Sequence, residues 1–489
     1  MPDEPIRGKT SRTFPIYAAA RPITWIFVAS AILKTVADPD LWGHVRFGLD
    51  ILRDRTIPAT DPYSFTQDVP WVNHEWLSEV VMGAAYAAAG PWGLMFLKAL
   101  LTAAACGVMW RALGNASDLV RWPSLALAVW GTLSIAWTLR PQLWTLVLFA
   151  ALCQILTSKT YFFAVPLLFI VWVNVHGGWI VGLGVLLVWC VGQIVELREQ
   201  GPPIKVLASI AVLSVAATLL NPYGWHLWEF IASTVRMSRV DISEWAPVWR
   251  ESFGKTAQWL SGVTFVGLVW WRRGRPPIPV LAVVAMLAYA SFTVSRLVPM
   301  FIEAAVILMA PHLPAAVADA APPRARTIVD VGILAIGVLA SLVSGAIPRC
   351  IAIEGLADPD VVAGEALKES GTSGRLVTWF NWGEYAIWHL SPNLKVSIDG
   401  RRETVYSMRT LQEQYDIAFG RTEGFQALER LRPEYVWLSY KFSRATAAWL
   451  RGHGYRIDVD TPLSFVAVRA DLPRISPKSV IPTWCFPGP

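Results

Sequence analysis

The chain has 489 residues, of which 54% are hydrophobic and 16% charged, with a net charge of +6. A soluble domain carries roughly 25% charged residues, so an ordinary soluble globular protein is excluded. The excess basic residues stand beside apolar runs, at Arg7–Arg21, Arg272–Arg275 and Arg324–Arg326, with no basic face of interleaved aromatics, which argues against a nucleic-acid partner.

Taken from the N-terminus, the basic cluster precedes an apolar stretch, 22–37, that reads as a retained signal anchor because further spans follow it. The hydropathy runs predict about eleven membrane spans, near 22–37, 92–110, 122–139, 141–157, 160–175, 178–197, 204–220, 257–271, 277–295, 297–313 and 328–347. With the N-terminus in the cytoplasm, the loops at Arg272–Arg275 and Arg324–Arg326 also fall inside, as the positive-inside rule requires. Residues 38–79 are then an outside loop, with eight acids against three arginines. Leu77–Ala89 is apolar, but a crossing there would turn the later arginine clusters outward. It is therefore laid flat at the interface and ended by Gly90-Pro91. The 26 Trp fit interfacial belts.

Beyond 347 the pattern changes. Leu376–Phe380, Lys395–Ile398, Tyr435–Ser439 and Phe465–Val468 read as strands, and Thr422–Leu431 and Ser443–Gly452 as helices, which predicts a small α/β domain at 348–489 ending in a proline-rich tail. The count places this domain outside the cytoplasm, where disulfides persist, so Cys350 and Cys485 can pair if their Cα atoms come within about 7 Å.

Chemistry-bearing residues gather in the first outside loop. Asp38 and Asp40 stand at the membrane surface, with His44 and Arg46 a turn later and His74-Glu75 at the loop's end. Arg140, His176 and Arg296 mark outer span boundaries; ionisable residues at such depths are costly, and each reads either as a substrate contact or as a side chain reaching headgroups or capping a helix. In the α/β domain, Asn381-Trp-Gly-Glu384 and Asp399-Gly-Arg401 follow strands; their glycines read as turn residues with φ > 0, and Asp399 and Arg401 as acceptor contacts. No GxGxxG, P-loop or GxSxG motif occurs, which fits a donor other than a nucleotide sugar.

The pieces Asp38-Pro-Asp-Leu-Trp42, Asp61-Pro-Tyr-Ser-Phe65, His74-Glu-Trp76, Arg140-Pro-Gln142, Asn174-Val-His-Gly-Gly178, Asn221-Pro-Tyr-Gly224 and Ile398-Asp-Gly-Arg401 span nearly the whole chain. In these the sequence resembles a group of bacterial GT-C-like membrane proteins, and through them the protein O-mannosyltransferase and aminoarabinose transferase architecture. His74-Glu75 departs from the His-Pro-Pro of many such enzymes. The resemblance implies a mainly α membrane protein: a GT-C-like bundle at 1–347, then an extracytoplasmic α/β domain, in a bacterial inner membrane. It implies a glycosyltransferase (hexosyl or pentosyl) taking sugar from a polyprenyl-phosphate carrier to a lipid, glycan or protein acceptor. Such a transfer needs a base for the acceptor hydroxyl and cations for the departing phosphate. Asp40 is the first choice of base and Asp38 the second, with His44, Arg46, His74, Glu75, Arg140, His176 and Arg296 as substrate contacts. A divalent cation bridging the two aspartates and the phosphate is one arrangement open to them, a metal-free site the other. Two alternatives remain: a non-catalytic assembly or binding protein, and a transporter of lipid-linked substrates, for which Lys98, Glu196 and Glu303 are the mid-span charges.

Overall fold

A computed structural model describes residues 14–114, 116–196, 202–234, 237, 239, 242–273, 275–313, 350–354, 359–476 and 484–488. The span expected at 328–347 and the arginine loop at 324–326 lie outside them.

Ten of the expected spans are helices: α1 (Phe14–Leu33), α4 (Pro91–Ala112), α5 (Asp118–Ala136), α6 (Gln142–Ser158), α7 (Ala164–Val175), α8 (Trp179–Glu196), α9 (Ile204–Ala217), α11 (Phe253–Arg273), α12 (Ile278–Thr293) and α13 (Val298–Met309). Pro91–Ala112, Trp179–Glu196 and Ser295–His312 are long and apolar enough to cross a membrane, and five further apolar helices are shorter. Proline in the first turn, whose N–H would have no partner, sets the start of α4 and α12. Every residue of α13 is buried, Glu303 included; the helix is otherwise apolar and packs against α5, α6, α11 and α12 as the bundle's central element. Lys98 on α4 does not face a pathway: its ammonium donates to the Ala31 and Lys34 carbonyls at the end of α1.

The loop after α1 carries α2 (Leu41–Asp54), which packs on α3 (Trp76–Ala89), the helix that the sequence lays at the interface. A further short helix, α10 (His226–Thr234), follows α9. The C-terminal α/β region contains α14 (Val361–Glu369), α15 (Gly383–Leu390), α16 (Met408–Ala418), α17 (Thr422–Leu431) and α18 (Arg444–Gly452). Its sheet has β1 (Gly374–Thr378), β2 (Leu394–Val396), β3 (Tyr435–Ser439), β4 (Tyr455–Asp460) and β5 (Ser464–Arg469). The strand order is β2-β1-β3-β5-β4, with β1 parallel to both neighbours and β5 antiparallel to both of its own.

Two joints lock this region to the bundle. Val36 bridges Thr138 and Ala352, and Ala352 bridges Cys485, so four short extended segments lie side by side where α1 and α5 end. Cys350 and Cys485 are disulfide-bonded there, with Cα atoms 5.6 Å apart, which meets the distance condition set for their pairing. At the second joint, Ser64 adds a parallel bridge to Val396 at the edge of β2, and Asp68 accepts from Ser407 N, Ser407 Oγ and Thr410 Oγ1. The loop after α1 is thus an edge of the C-terminal sheet.

Candidate functional site

The first joint explains how Asp38 meets a residue 102 positions later in the chain. Pairing Val36 with Thr138 puts Asp38 and Arg140 each two residues beyond the bridge, on adjacent extended segments. Arg140 then binds both aspartates: Nε lies 3.1 Å from Asp38 Oδ1 and Nη2 donates to Asp40 Oδ2 at 2.9 Å. Proline between them favours extended backbone at Asp38, which alone would make the two side chains diverge. They converge because Asp38 Oδ1 also accepts from the Asp40 backbone N–H at 3.1 Å and folds the Asp-Pro-Asp turn inward. Burial drives the Asp38 carboxyl up, to about 6, despite the lowering effect of Arg140.

The cluster widens through a residue that sequence reading passed over. Glu244 lies 3.6 Å from Arg140 Nη1 and 3.8 Å from Arg296 Nη1, linking the two arginines. Its segment is pinned to the turn before α13, where Ser295 donates to the Ala246 and Glu244 carbonyls. The signal was weak, since Glu244 is one acid in a loop of mixed charge. At 42% exposure, Glu244 is the most open member of the cluster; Asp40 is 23% exposed and Asp38 12%.

His74 and His176 flank Glu75, each with Nε2 at 3.6 Å from Oε1. The His176 tautomer follows from its partners. The Gly178 N–H can only donate, and does so to Nδ1 at 3.0 Å. Thr145 Oγ1 accepts the Trp172 indole N–H, so its own proton goes to Nδ1 at 2.7 Å. Neutral His176 therefore carries its proton on Nε2, facing Glu75, and burial holds its pKa down at about 3. Burial raises the Glu75 pKa, but His74, His176, His44 and Arg296 outweigh it and the net shift is downward. His44 sits against Glu79 at 3.2 Å; burial disfavours its charged form, yet Glu79, Glu75 and Asp40 raise its pKa on balance.

Arg46 does not join this group. It pairs with Asp50 one turn along α2, at 2.8 Å, and Asp50 also accepts from Tyr63. The acceptor role expected of Asp399 and Arg401 is also corrected. Asp399 is fully buried, and the Arg401 guanidinium spends its donors on Asp399 and Asp61, between the rings of Phe47, Tyr63 and Trp71. Gly383 and Gly400 are not at positive φ either; both mark close approach. A Cβ on Gly400 would stand 2.0 Å from Asp40 Oδ1, and one on Gly383 would stand 2.2 Å from the Ile398 carbonyl.

A divalent cation between the aspartates does not suit this arrangement, because Arg140 occupies the space between them. Among the described residues, no group of three or more His, Cys, Asp or Glu side chains could hold a metal ion. Two shallow cavities of about 270 Å³ lie on the C-terminal region, beside Trp449 and beside Arg409, away from the acid cluster.

No protein-family model and no curated protein matches the sequence. Solved structures do. The arabinofuranosyltransferase AftD from Mycobacteria superposes with a TM-score of 0.52 at 15% identity over 94% of this chain, which spans 40% of AftD's length. ArnT from Cupriavidus metallidurans, in a structure bound to undecaprenyl phosphate, superposes with a TM-score of 0.52 at 13% identity, covering 92% of this chain and 97% of ArnT. The chain therefore has the GT-C fold of these membrane proteins, the fold that its sequence motifs resemble.

Proposed function

We propose that this protein is a membrane glycosyltransferase that moves a sugar from a polyprenyl-phosphate carrier to an acceptor hydroxyl on the extracytoplasmic face. The observation that carries the reading is the Arg140 clamp on Asp38 and Asp40, which shares Glu244 with Arg296. A sugar phosphate needs cations for the leaving group and a carboxylate for the acceptor proton, and this cluster offers both side by side.

In the proposed reaction the acceptor oxygen attacks the anomeric carbon as its bond to the phosphate oxygen breaks, with the bonding pair leaving on the phosphate. The acceptor proton passes to Asp40. Arg140 Nη1 and Arg296 Nη1 hold the phosphate after it displaces Glu244, whose contacts with both are long and solvent-exposed. Asp38 anchors Arg140 from the far side, and the His74–Glu75–His176 group orients the acceptor or sugar hydroxyls. The GT-C fold, with helices apolar enough to cross a membrane, supports a lipid-linked donor reached from the bilayer. Buried and satisfied Lys98 removes one of the charges that a transporter would need at mid-span. The acceptor, the sugar and the inner-membrane orientation are part of the proposal.

Undecaprenyl phosphate binding to the purified chain tests the leaving-group half of this reading. Arg140→Gln and Arg296→Gln should each weaken binding at least about tenfold, the effect of losing a charge-assisted hydrogen bond. Unchanged affinity in both variants would remove the arginines from the site.

A further inference from the structure

The C-terminal region reaches Asp40 with a second carboxyl group. Glu384, at the start of α15, is 2% exposed, and its Oε2 accepts from the Gly43 backbone N–H at 3.0 Å in the first turn of α2. Its other oxygen, Oε1, borders the same space beside Gly400 as Asp40 Oδ1. The Cβ position that Gly400 leaves empty is 2.0 Å from Asp40 Oδ1 and 2.9 Å from Glu384 Oε1, so the two oxygens are no farther apart than the sum of those distances. Two ionised carboxylates buried within that range repel each other, and burial further disfavours charging both, which favours a proton on one of them. The nearby cations are committed elsewhere: Arg140 is on Asp40 Oδ2, and Arg401 is on Asp61 and Asp399. The other charges facing Glu384 are Asp399 and, from α3, Glu79, both of the wrong sign. Burial first, then Asp40 and Asp399, push the Glu384 carboxyl well above the usual range.

We propose that Glu384 is a positioning residue: a neutral acid that donates a hydrogen bond to Asp40 Oδ1, so that the C-terminal region completes the site begun by the bundle. The inference rests on the reading of Asp40 as the base. Held by Arg140 on one oxygen and Glu384 on the other, Asp40 keeps one orientation toward the acceptor. Gly400 is the only residue type that lets the pair approach, and its loop is fixed by the buried Arg401 cluster. Ionisation of Glu384 at alkaline pH would set two like charges against each other and open the contact.

Infrared titration of the full chain in detergent tests the pair directly. At pH 7 the difference spectrum between wild type and Glu384→Gln should show a protonated-carboxyl band, separate from any contributed by buried Glu303, that remains in Asp38→Asn. Gly400→Ala, which separates the oxygens, should shift it. Transfer from a panel of polyprenyl-phosphate sugars supplies the second readout. Glu384→Gln, which can still donate, should keep kcat within a few-fold and lose the alkaline limb of the wild-type pH profile. Glu384→Ala should lose about 10- to 100-fold in kcat, the effect of one hydrogen bond at the base, with donor KM nearly unchanged. A pH 7 spectrum unaffected by Glu384→Gln, or identical alkaline limbs, would overturn the proposal. A wild type inactive on every donor would count against the glycosyltransferase reading, while the infrared result would still decide the state of Glu384.

Discussion

Replacing Arg401 by Met should prevent stable folding rather than alter acceptor use. The guanidinium makes four charge-assisted hydrogen bonds of 2.7 to 2.9 Å, two to Asp61 and two to Asp399. Its side chain is 6% exposed and both aspartates are at 0%. Removing one member of a buried ion pair costs about 3–5 kcal/mol because the other is left uncompensated. Here two buried carboxylates lose their shared cation. Asp61 keeps the Tyr63 and Ser64 backbone N–H donors, and Asp399 keeps Tyr406 and the backbone N–H of residue 401, but none of these carries a charge. The loss is comparable with the roughly 5–15 kcal/mol that separates most folded proteins from their unfolded state. It also falls on the joint between the first loop and the C-terminal sheet. Arg401→Lys keeps the charge but not the fork, and should melt between wild type and Arg401→Met. Thermal melts and yields of the detergent-purified chains provide the assay. An Arg401→Met protein that melts with the wild type but turns over acceptor poorly would refute this reasoning and restore Arg401 as an acceptor contact.

Three other predictions concern charge, crosslink and orientation. Because burial raises the folded Asp38 pKa to about 6, above the ordinary carboxylate value of 3.8, the folded state binds its proton more tightly. The stability contributed by this group is full below the unfolded pKa and is lost as pH rises through about 6. Protonating Asp38 also weakens the Arg140 clamp, so kcat/KM should have an acid limb near pH 6 that moves in Asp38→Asn. Cys350→Ser or Cys485→Ser should destabilise the chain by about 2–4 kcal/mol, read as a lower melting temperature that reductant reproduces in the wild type. Reporter fusions at Arg273 and Gly420 should report opposite faces of the membrane, and finding both on one face would overturn the proposed orientation.

Much of the bundle was legible because apolar runs and Pro or Gly breaks follow from what a bilayer permits, as with Pro141 between α5 and α6 and Gly177-Gly178 between α7 and α8. In the C-terminal region, β3 and α17 have the predicted limits, since a continuous apolar run and an amphipathic repeat are local signals. β4 was missed: Tyr455–Asp460 places Arg456 and Asp458 between its apolar residues and ends on Asp460, as an edge strand can. The site was legible only as a set of residues. That Asp38 and Asp40 share one arginine depends on the Val36–Thr138 bridge, and that Glu244 links two arginines depends on how a loop docks. Glu384 and Gly400 reach Asp40 from more than 300 positions away, through contacts that no local pattern encodes.

The most direct test of the central claim is transfer from polyprenyl-phosphate-linked sugars by the purified wild type and Asp40→Asn, with undecaprenyl phosphate binding measured on both. The account predicts measurable transfer by the wild type and a loss of about 10²- to 10⁴-fold in Asp40→Asn, as expected for removal of a general base, with carrier affinity and melting temperature retained. An Asp40→Asn chain that transfers sugar within a few-fold of the wild type would contradict it.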